Sequence, residues 1–231
     1  MMNSRDEIEL IRCASAVPES RQDLLLEQIN AVIWDNWTTT RPVWSRSESP
    51  FHPDFGLVFL RRNRATAGYA IYRRLSIDGE PAIYLAGTGV MTSHQGKGVY
   101  RAMTRAIFQA EWQDIAERNE VYYAWRTRNP VLWSSNAAYC KAVAPAIPDE
   151  REITVLQELA LKMARWMYPD IPVEVPSMIM RNVYDHMTYL RRPLHSCDSP
   201  IDAWFANAIP DPVDAIFSVG IVTKASAVGS G

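Results

Sequence analysis

Cysteine, basic excess and long apolar runs are all scarce in this chain of 231 residues, and each shortage narrows what it can be. The three cysteines, Cys13, Cys140 and Cys197, are odd in number, far apart and never in a CxxC pair. That speaks against a disulfide framework or a thiolate zinc site, and for free thiols in a reducing compartment. With 24 basic residues against 26 acidic ones the formal net charge is -2, so the positive footprint of a nucleic-acid-binding surface is missing. No apolar run approaches the roughly 18 residues that suggest a membrane span. The N-terminal "MMNSRDEIELIRC" puts acids where a secretory leader has its apolar core. The expectation is a cytoplasmic protein with no membrane span and no nucleic-acid partner. The histidines form no HxxxH pair, His186 and His195 included, so no metal is expected.

What is present is an ordinary globular composition, 48% hydrophobic and 22% charged, enough for one domain over residues 1–231. Periodicity predicts a strand at "IELIRCASAV", then a helix through "PESRQDLLLEQINAVIWDNW". A loop of about 17 residues follows, "TTTRPVWSRSESPFHPD", long enough to suspect function. Three strands, "FGLVFLRRN", "ATAGYAIYRRLSI" and "PAIYLAGTGVM", are joined by turn signals that include Asp78-Gly79, so they read as antiparallel hairpins. Val99 to about Arg118 reads as an amphipathic helix, "VYYAWRT" as a buried strand, and "NPVLWSSNAAYCKAV" as a helix with Asn129 as N-cap and Pro130 at its start. An extra helix at about 149–170, strands at "SMIMRNVYDHM" and "DAIFSVGIVTK" with an irregular stretch between them, and a frayed tail at about 225–231 complete a mixed α/β domain.

The stretch "TSHQGKGVYRAM" turns from a strand into a helix. It fails as a P-loop, because Gly98 stands where Ser or Thr must follow Gly96-Lys97, and it fails as GxGxxG, because Arg101 replaces the third glycine. What survives is an anion site: free amides at a helix start, glycines that let an anion approach, and Arg101 and Arg105 in the first turns. The stretch resembles the signature Q/R-x-x-G-x-G/A of the GNAT superfamily of acyl-CoA-dependent N-acyltransferases. Gln95 and Gly98 match it and Tyr100 replaces its last small residue. The order of elements is similar to that fold too, a mostly antiparallel central sheet flanked by helices, with the extra helix before the last two strands as an addition. The resemblance implies that Gln95, Gly96, Lys97, Gly98, Val99 and Tyr100 hold the diphosphate of acetyl-CoA or another acyl-CoA. It implies that Thr88, Gly89 and Val90 pair with the pantetheine arm, and that Asn129 touches that arm, a role that competes with plain capping. Relatives of this kind commonly form dimers, so a homodimer is among the expected assemblies.

Amide formation from a thioester needs a free amine, an acceptor for its proton and a donor for the leaving thiolate. The family places a tyrosine seven residues after its asparagine, but Asn136 stands there, which leaves Tyr139, three residues on, as the candidate proton donor. His52, in the long loop, is the candidate base, because an imidazole titrates in the right range. Trp37 and Trp44 are candidates for the wall of the acceptor site, with core packing as the alternative for the first. The reading is direct transfer of an acyl group, acetyl first, to an amine of a small molecule or peptide. A longer-chain acyl transferase and a noncatalytic acyl-CoA-binding module stay open beside it.

Overall fold

The computed structural model describes residues 6–115, 118–148, 154–191, 196 and 198–228. In chain order these form β1 (Asp6–Ile11), a 3-10 turn at Ala14–Ala16, α1 (Glu19–Asn36), β2 (Trp37–Thr39), β3 (Phe55–Arg62), β4 (Ala65–Ile77), β5 (Glu80–Val90), a 3-10 turn at Thr92–His94 and α2 (Val99–Glu111). Then come β6 (Glu120–Thr127), α3 (Pro130–Ala137), β7 (Cys140–Ala144), α4 (Val155–Met167), β8 (Ile179–Met180), β9 (Met187–Tyr189), α5 (Ser199–Ala208), β10 (Ala215–Thr223) and α6 (Lys224–Val228).

The main sheet runs β1-β3-β4-β5-β6-β10-β7, with β8 against β10, and β2 pairs separately with β9. β5 and β6 are parallel and the other neighbours are antiparallel. This is the expected mixed α/β architecture, a mostly antiparallel central sheet flanked by helices. Both predicted hairpins turn on two residues with left-handed backbone, Asn63 and Arg64 in one, Asp78 and Gly79 in the other. Such turns match the strand twist and fix the register.

Alternate side chains of β3 leave by opposite faces, as a pleated strand requires. Leu57 and Phe59 join α1 residues Leu25, Ile29, Val32 and Ile33 in one core cluster, whereas Val58 and Leu60 join α2 residues Met103, Ile107 and Phe108 in the other. At about 1.5–3 kcal/mol for each fully buried large apolar side chain, these two layers are the main fold-stabilising term. Leu24 and Trp34 stay outside them, exposed on α1. Glu111, buried near the end of α2, accepts from the Tyr72 hydroxyl at 2.6 Å and lies 3.5 Å from both Arg12 and Arg74. It ties α2 to β4 and to the residue after β1.

Several elements differ from the periodicity. α2 ends at Glu111, ahead of Arg118, and α3 ends at Ala137, after which Cys140–Ala144 forms β7 against β10. The short "CKAVA", with one β-branched residue, Val143, fits an outer strand as well as a helix tail, and pairing decides. The extra helix is α4, capped by Thr154, whose hydroxyl accepts from the Gln157 amide; residues 149–153 lie outside the described residues. The irregular stretch before β10 contains α5, capped by Asp198, and Lys224–Val228 forms α6 where a frayed tail is expected; 229–231 lie outside the described residues. The "SMIMRNVYDHM" segment is two short strands, and β9 leaves the main sheet to pair with β2. Among the described residues no helix is long and apolar enough to cross a membrane.

Candidate functional site

The parallel ladder between β5 and β6 covers Ala82–Leu85 against Tyr122–Trp125 and stops there, although β5 runs on to Val90. The register between β4 and β5 shifts at the same level: Tyr72 faces Leu85 and Ile71 faces Gly87, so Ala86 is the extra residue of a bulge. A bulge bends its strand, and this one lies where the two strands part. Residues 87–90 keep a ladder with β4 alone, which leaves one edge of β5 open to a cleft of 1410 Å³.

At the end of β5 stands the glycine turn. Gly96 and Gly98 have φ of 72° and 78°, a region that favours glycine, and a Cβ at either would meet no atom within 4 Å. Gly98 is the N-cap of α2, and Ala102 donates the first helical hydrogen bond, to the Gly98 carbonyl. The amides from Gly98 to Arg101 therefore precede any intrahelical acceptor and are available to an anion. Arg101 and Arg105 are exposed one turn apart on the same helix and line the cleft. The C-terminal end of α1 fixes this turn. Asn36 Nδ2 donates to the Val90 carbonyl at 3.0 Å, Asn36 Oδ1 accepts from Gln95 at 2.8 Å, and Asp35 accepts from the Thr92 amide at 2.5 Å.

The predicted residues fall into three groups. Thr88, Gly89, Val90, Gln95, Gly96, Gly98, Val99, Tyr100, Asn129 and Tyr139 line this cleft, as do Trp37 and Trp44. Lys97 does not line it: its ammonium donates to the Ser93 carbonyl and its amide to the His94 carbonyl. His52 is the other residue kept apart. Its side chain is exposed, 3.6 Å from Asp54 and edge-on to Phe55, in the loop before β3.

Asn129 caps α3, its Oδ1 accepting from the amides of Val131 and Leu132, so capping and a cleft position coexist in one residue. Tyr100 turns its ring inward, where its hydroxyl donates to Asn136 Oδ1, and burial pushes its pKa up to about 12. The Tyr139 hydroxyl donates to the Arg101 carbonyl at 3.3 Å. Burial raises its pKa while Arg101 and Arg105 pull it down, so at neutral pH it keeps its proton.

Sequence reasoning missed most of the opposite wall. His186 lines the cleft with Nδ1 3.0 Å from Asp185, held there because β9 pairs with β2 and the Thr40 amide donates to the His186 carbonyl. Arg126, in β6, and Arg128, just past its end, interleave with three tyrosines from the segment between α4 and α5. The Arg126 guanidinium lies 4.6 Å from the Tyr168 ring centre and 4.9 Å from that of Tyr184; Arg128 lies 5.5 Å from Tyr184 and 4.1 Å from Tyr189. The only sequence signal was an aromatic and basic bias in two stretches some forty residues or more apart, about what unrelated surface positions also show. Three arginines bordering the hairpins, by contrast, are committed to structure: Arg61 pairs with Glu9, Arg62 with Asp6 and Arg74 with Glu111.

No protein-family model and no curated protein matches the sequence. Solved structures do resemble it. The ribosomal-protein-S18-alanine N-acetyltransferase from Escherichia coli is 14% identical, with 95% of each chain covered and a TM-score of 0.44. ElaA from Escherichia coli is 14% identical over 62% of this chain and 89% of its own, with a TM-score of 0.44. An N-acetyltransferase from Staphylococcus aureus Mu50 is 13% identical over 61% of this chain and 87% of its own, with a TM-score of 0.40.

Proposed function

We propose that the protein is a GNAT-like N-acyltransferase that passes an acyl group, acetyl in the first place, directly from an acyl-CoA to an amine of a small molecule or peptide. One observation carries this reading: the open edge of β5 leads straight into the uncapped amides of α2, a strand edge in line with an anion cradle. An extended arm of amide groups can pair with such an edge, and a diphosphate at its end can take the free helix amides. The positive φ of Gly96 and Gly98 and the open space around them suit close approach of that diphosphate, and Arg101 and Arg105 add charge.

Acyl-CoA supplies the activated thioester; the chain supplies position and protons. The amides from Gly98 to Arg101 hold the diphosphate, with Gln95 tied to Asn36 to keep the turn in place. The edge from Ala86 to Val90, Thr88 and Gly89 included, orients the arm, and Asn129 lies against it. Tyr139, protonated at neutral pH, donates to the leaving sulfur. His186 takes the amine proton, a role for which His52 lies outside the cleft. Trp37 and Trp44 wall the acceptor space. A cytoplasmic site of action belongs to the same reading.

Thermal unfolding with and without acetyl-CoA, followed by thiol release over a panel of acyl-CoA donors and mixed amines, tests it. At 100 times its Kd a ligand adds about 2.7 kcal/mol, a rise of roughly 5–10 °C for a chain of this size. No rise in Tm overturns the reading, and a rise without thiol release replaces it with a noncatalytic acyl-CoA-binding module. Within it, Tyr139→Phe should keep the thermal shift and lower kcat by about 100-fold. His186→Gln should lower kcat by about 100-fold, and His52→Gln should leave it unchanged.

A further inference from the structure

Arg126 and Arg128 are two like charges on one side of a strand and its continuation, about 6.5 Å apart along the chain by strand geometry. Both line the cleft. Among the described residues no ion pair involves either, and Arg126 Nε and Arg128 Nη1 are buried with no hydrogen-bond partner. A guanidinium keeps its charge in such a place, and an unpaired buried charge is costly. The rings of Tyr168, Tyr184 and Tyr189 offset part of that cost through their faces. A ring over the face of a guanidinium does nothing for the N–H donors in its plane. The interleaved order Tyr168, Arg126, Tyr184, Arg128, Tyr189 thus covers the two guanidinia with rings and leaves each with one buried donor unmet, Nε of Arg126 and Nη1 of Arg128. Tyr189 does not neutralise Arg128: burial raises its pKa although Arg128 opposes this, so it stays a neutral ring.

We propose that these two guanidinia bind the carboxylate of the acceptor, and hence that the acceptor is an amino-carboxylate of the amino-acid class. This rests on the acyltransferase reading, which it sharpens by naming the substrate class. A planar carboxylate fits a fork that is covered on its faces, and one negative charge between two guanidinia removes both their mutual repulsion and their unmet donors. Position agrees with the role. Arg126 follows Trp125, the last residue of the parallel ladder, so an anion held there lies at the closed end of the gap between β5 and β6. Trp37, whose ring packs 5.3 Å from Tyr189, and Met187 give the same wall an apolar surface for the remainder of the acceptor.

The test compares apolar amino acids with their carboxamides, their decarboxylated amines and their aminophosphonates, by calorimetric binding to the full chain and by thiol release with acetyl-CoA. The free carboxylate should bind and react at least tenfold better than the other three in the unmodified protein. Arg126→Gln and Arg128→Gln should each erase that preference while acetyl-CoA still raises Tm. Equal use of the amines or carboxamides overturns the proposal, as does preference for the phosphonate. An unchanged preference in both variants overturns it too. Carboxylate binding that persists without any acetyl-CoA shift would support the anion site and sink the acyltransferase reading. The reverse pattern, an acetyl-CoA shift and thiol release with no carboxylate preference, would sink only the anion site.

Discussion

The two sides of the cleft are built on opposite principles. The turn side is main chain: one contiguous stretch of strand, glycine turn and helix start presents amides from Gly98 to Arg101, and side chains such as Lys97 are turned aside. The opposite wall is side chain: Arg126 and Arg128 come from one stretch, Tyr168, Tyr184 and Tyr189 from another, and Trp37 and Trp44 from a third. On the proposed reading, a backbone cradle suits a group shared by every donor, because a diphosphate is the same whatever acyl chain it carries. A side-chain wall suits the partner that must be chosen, because each contact can be exchanged singly.

The comparison predicts separable damage, and the largest effect belongs to the turn. Gly98→Val puts a β-branched residue at φ 78°, where left-handed backbone costs roughly 1–2 kcal/mol or more, and shifts the amides that follow. Losing two hydrogen bonds to a charged group, at about 1.5–3 kcal/mol each, weakens acetyl-CoA binding by 100-fold or more. Acceptor binding, measured without cofactor, should stay within about twofold. If Gly98→Val binds acetyl-CoA normally, the amides of α2 are not its anchor.

The same contrast explains what could be read from the chain alone. Contiguous chemistry leaves a pattern: Gln95, Gly98 and the helix after them sit at fixed spacing, so the turn was legible, and so were both hairpins from Asn63-Arg64 and Asp78-Gly79. His186 was not, because its place depends on three backbone pairings between β2 and β9, whose partners are some 150 residues apart in sequence. Nothing in "YDHMTY" says that it leaves the main sheet. β7 and α5 were lost for a related reason: "CKAVA" and "SPIDAWFANA" are short, and at that length pairing and packing override periodicity.

An intermediate effect belongs to the wall. Tyr184 is the one ring against both guanidinia, and its hydroxyl donates to the Arg126 carbonyl at 3.4 Å. Tyr184→Leu removes two cation–π contacts, about 1–3 kcal/mol together, and keeps an apolar filler. KM for the acceptor should rise by about tenfold while the acetyl-CoA shift persists. A loss of the cofactor shift with no change in acceptor KM would reverse the assignment of the two sides.

The smallest effect concerns Tyr100, where the two construction principles meet. Its amide belongs to the cradle, but its ring crosses to α3, where its hydroxyl and that of Tyr123 both donate to the buried Asn136 Oδ1. The Tyr100–Asn136 pair fastens α2 to α3, the helix behind Asn129. Tyr100→Phe keeps the ring and removes one hydrogen bond, so stability should fall by about 1 kcal/mol at pH 8 with acetyl-CoA affinity little changed. The sign of the pH dependence follows from burial. The folded-state pKa of about 12 exceeds the ordinary value of 10.0, so the native state holds a proton that the unfolded state has given up. Stability from Tyr100 is complete below pH 10 and is lost as pH rises toward 12. Urea unfolding across that interval should therefore show the gap between Tyr100→Phe and the unmodified protein closing as pH rises; a gap that stays constant would mean that the hydroxyl is open to water and that the α2–α3 fastening lies elsewhere.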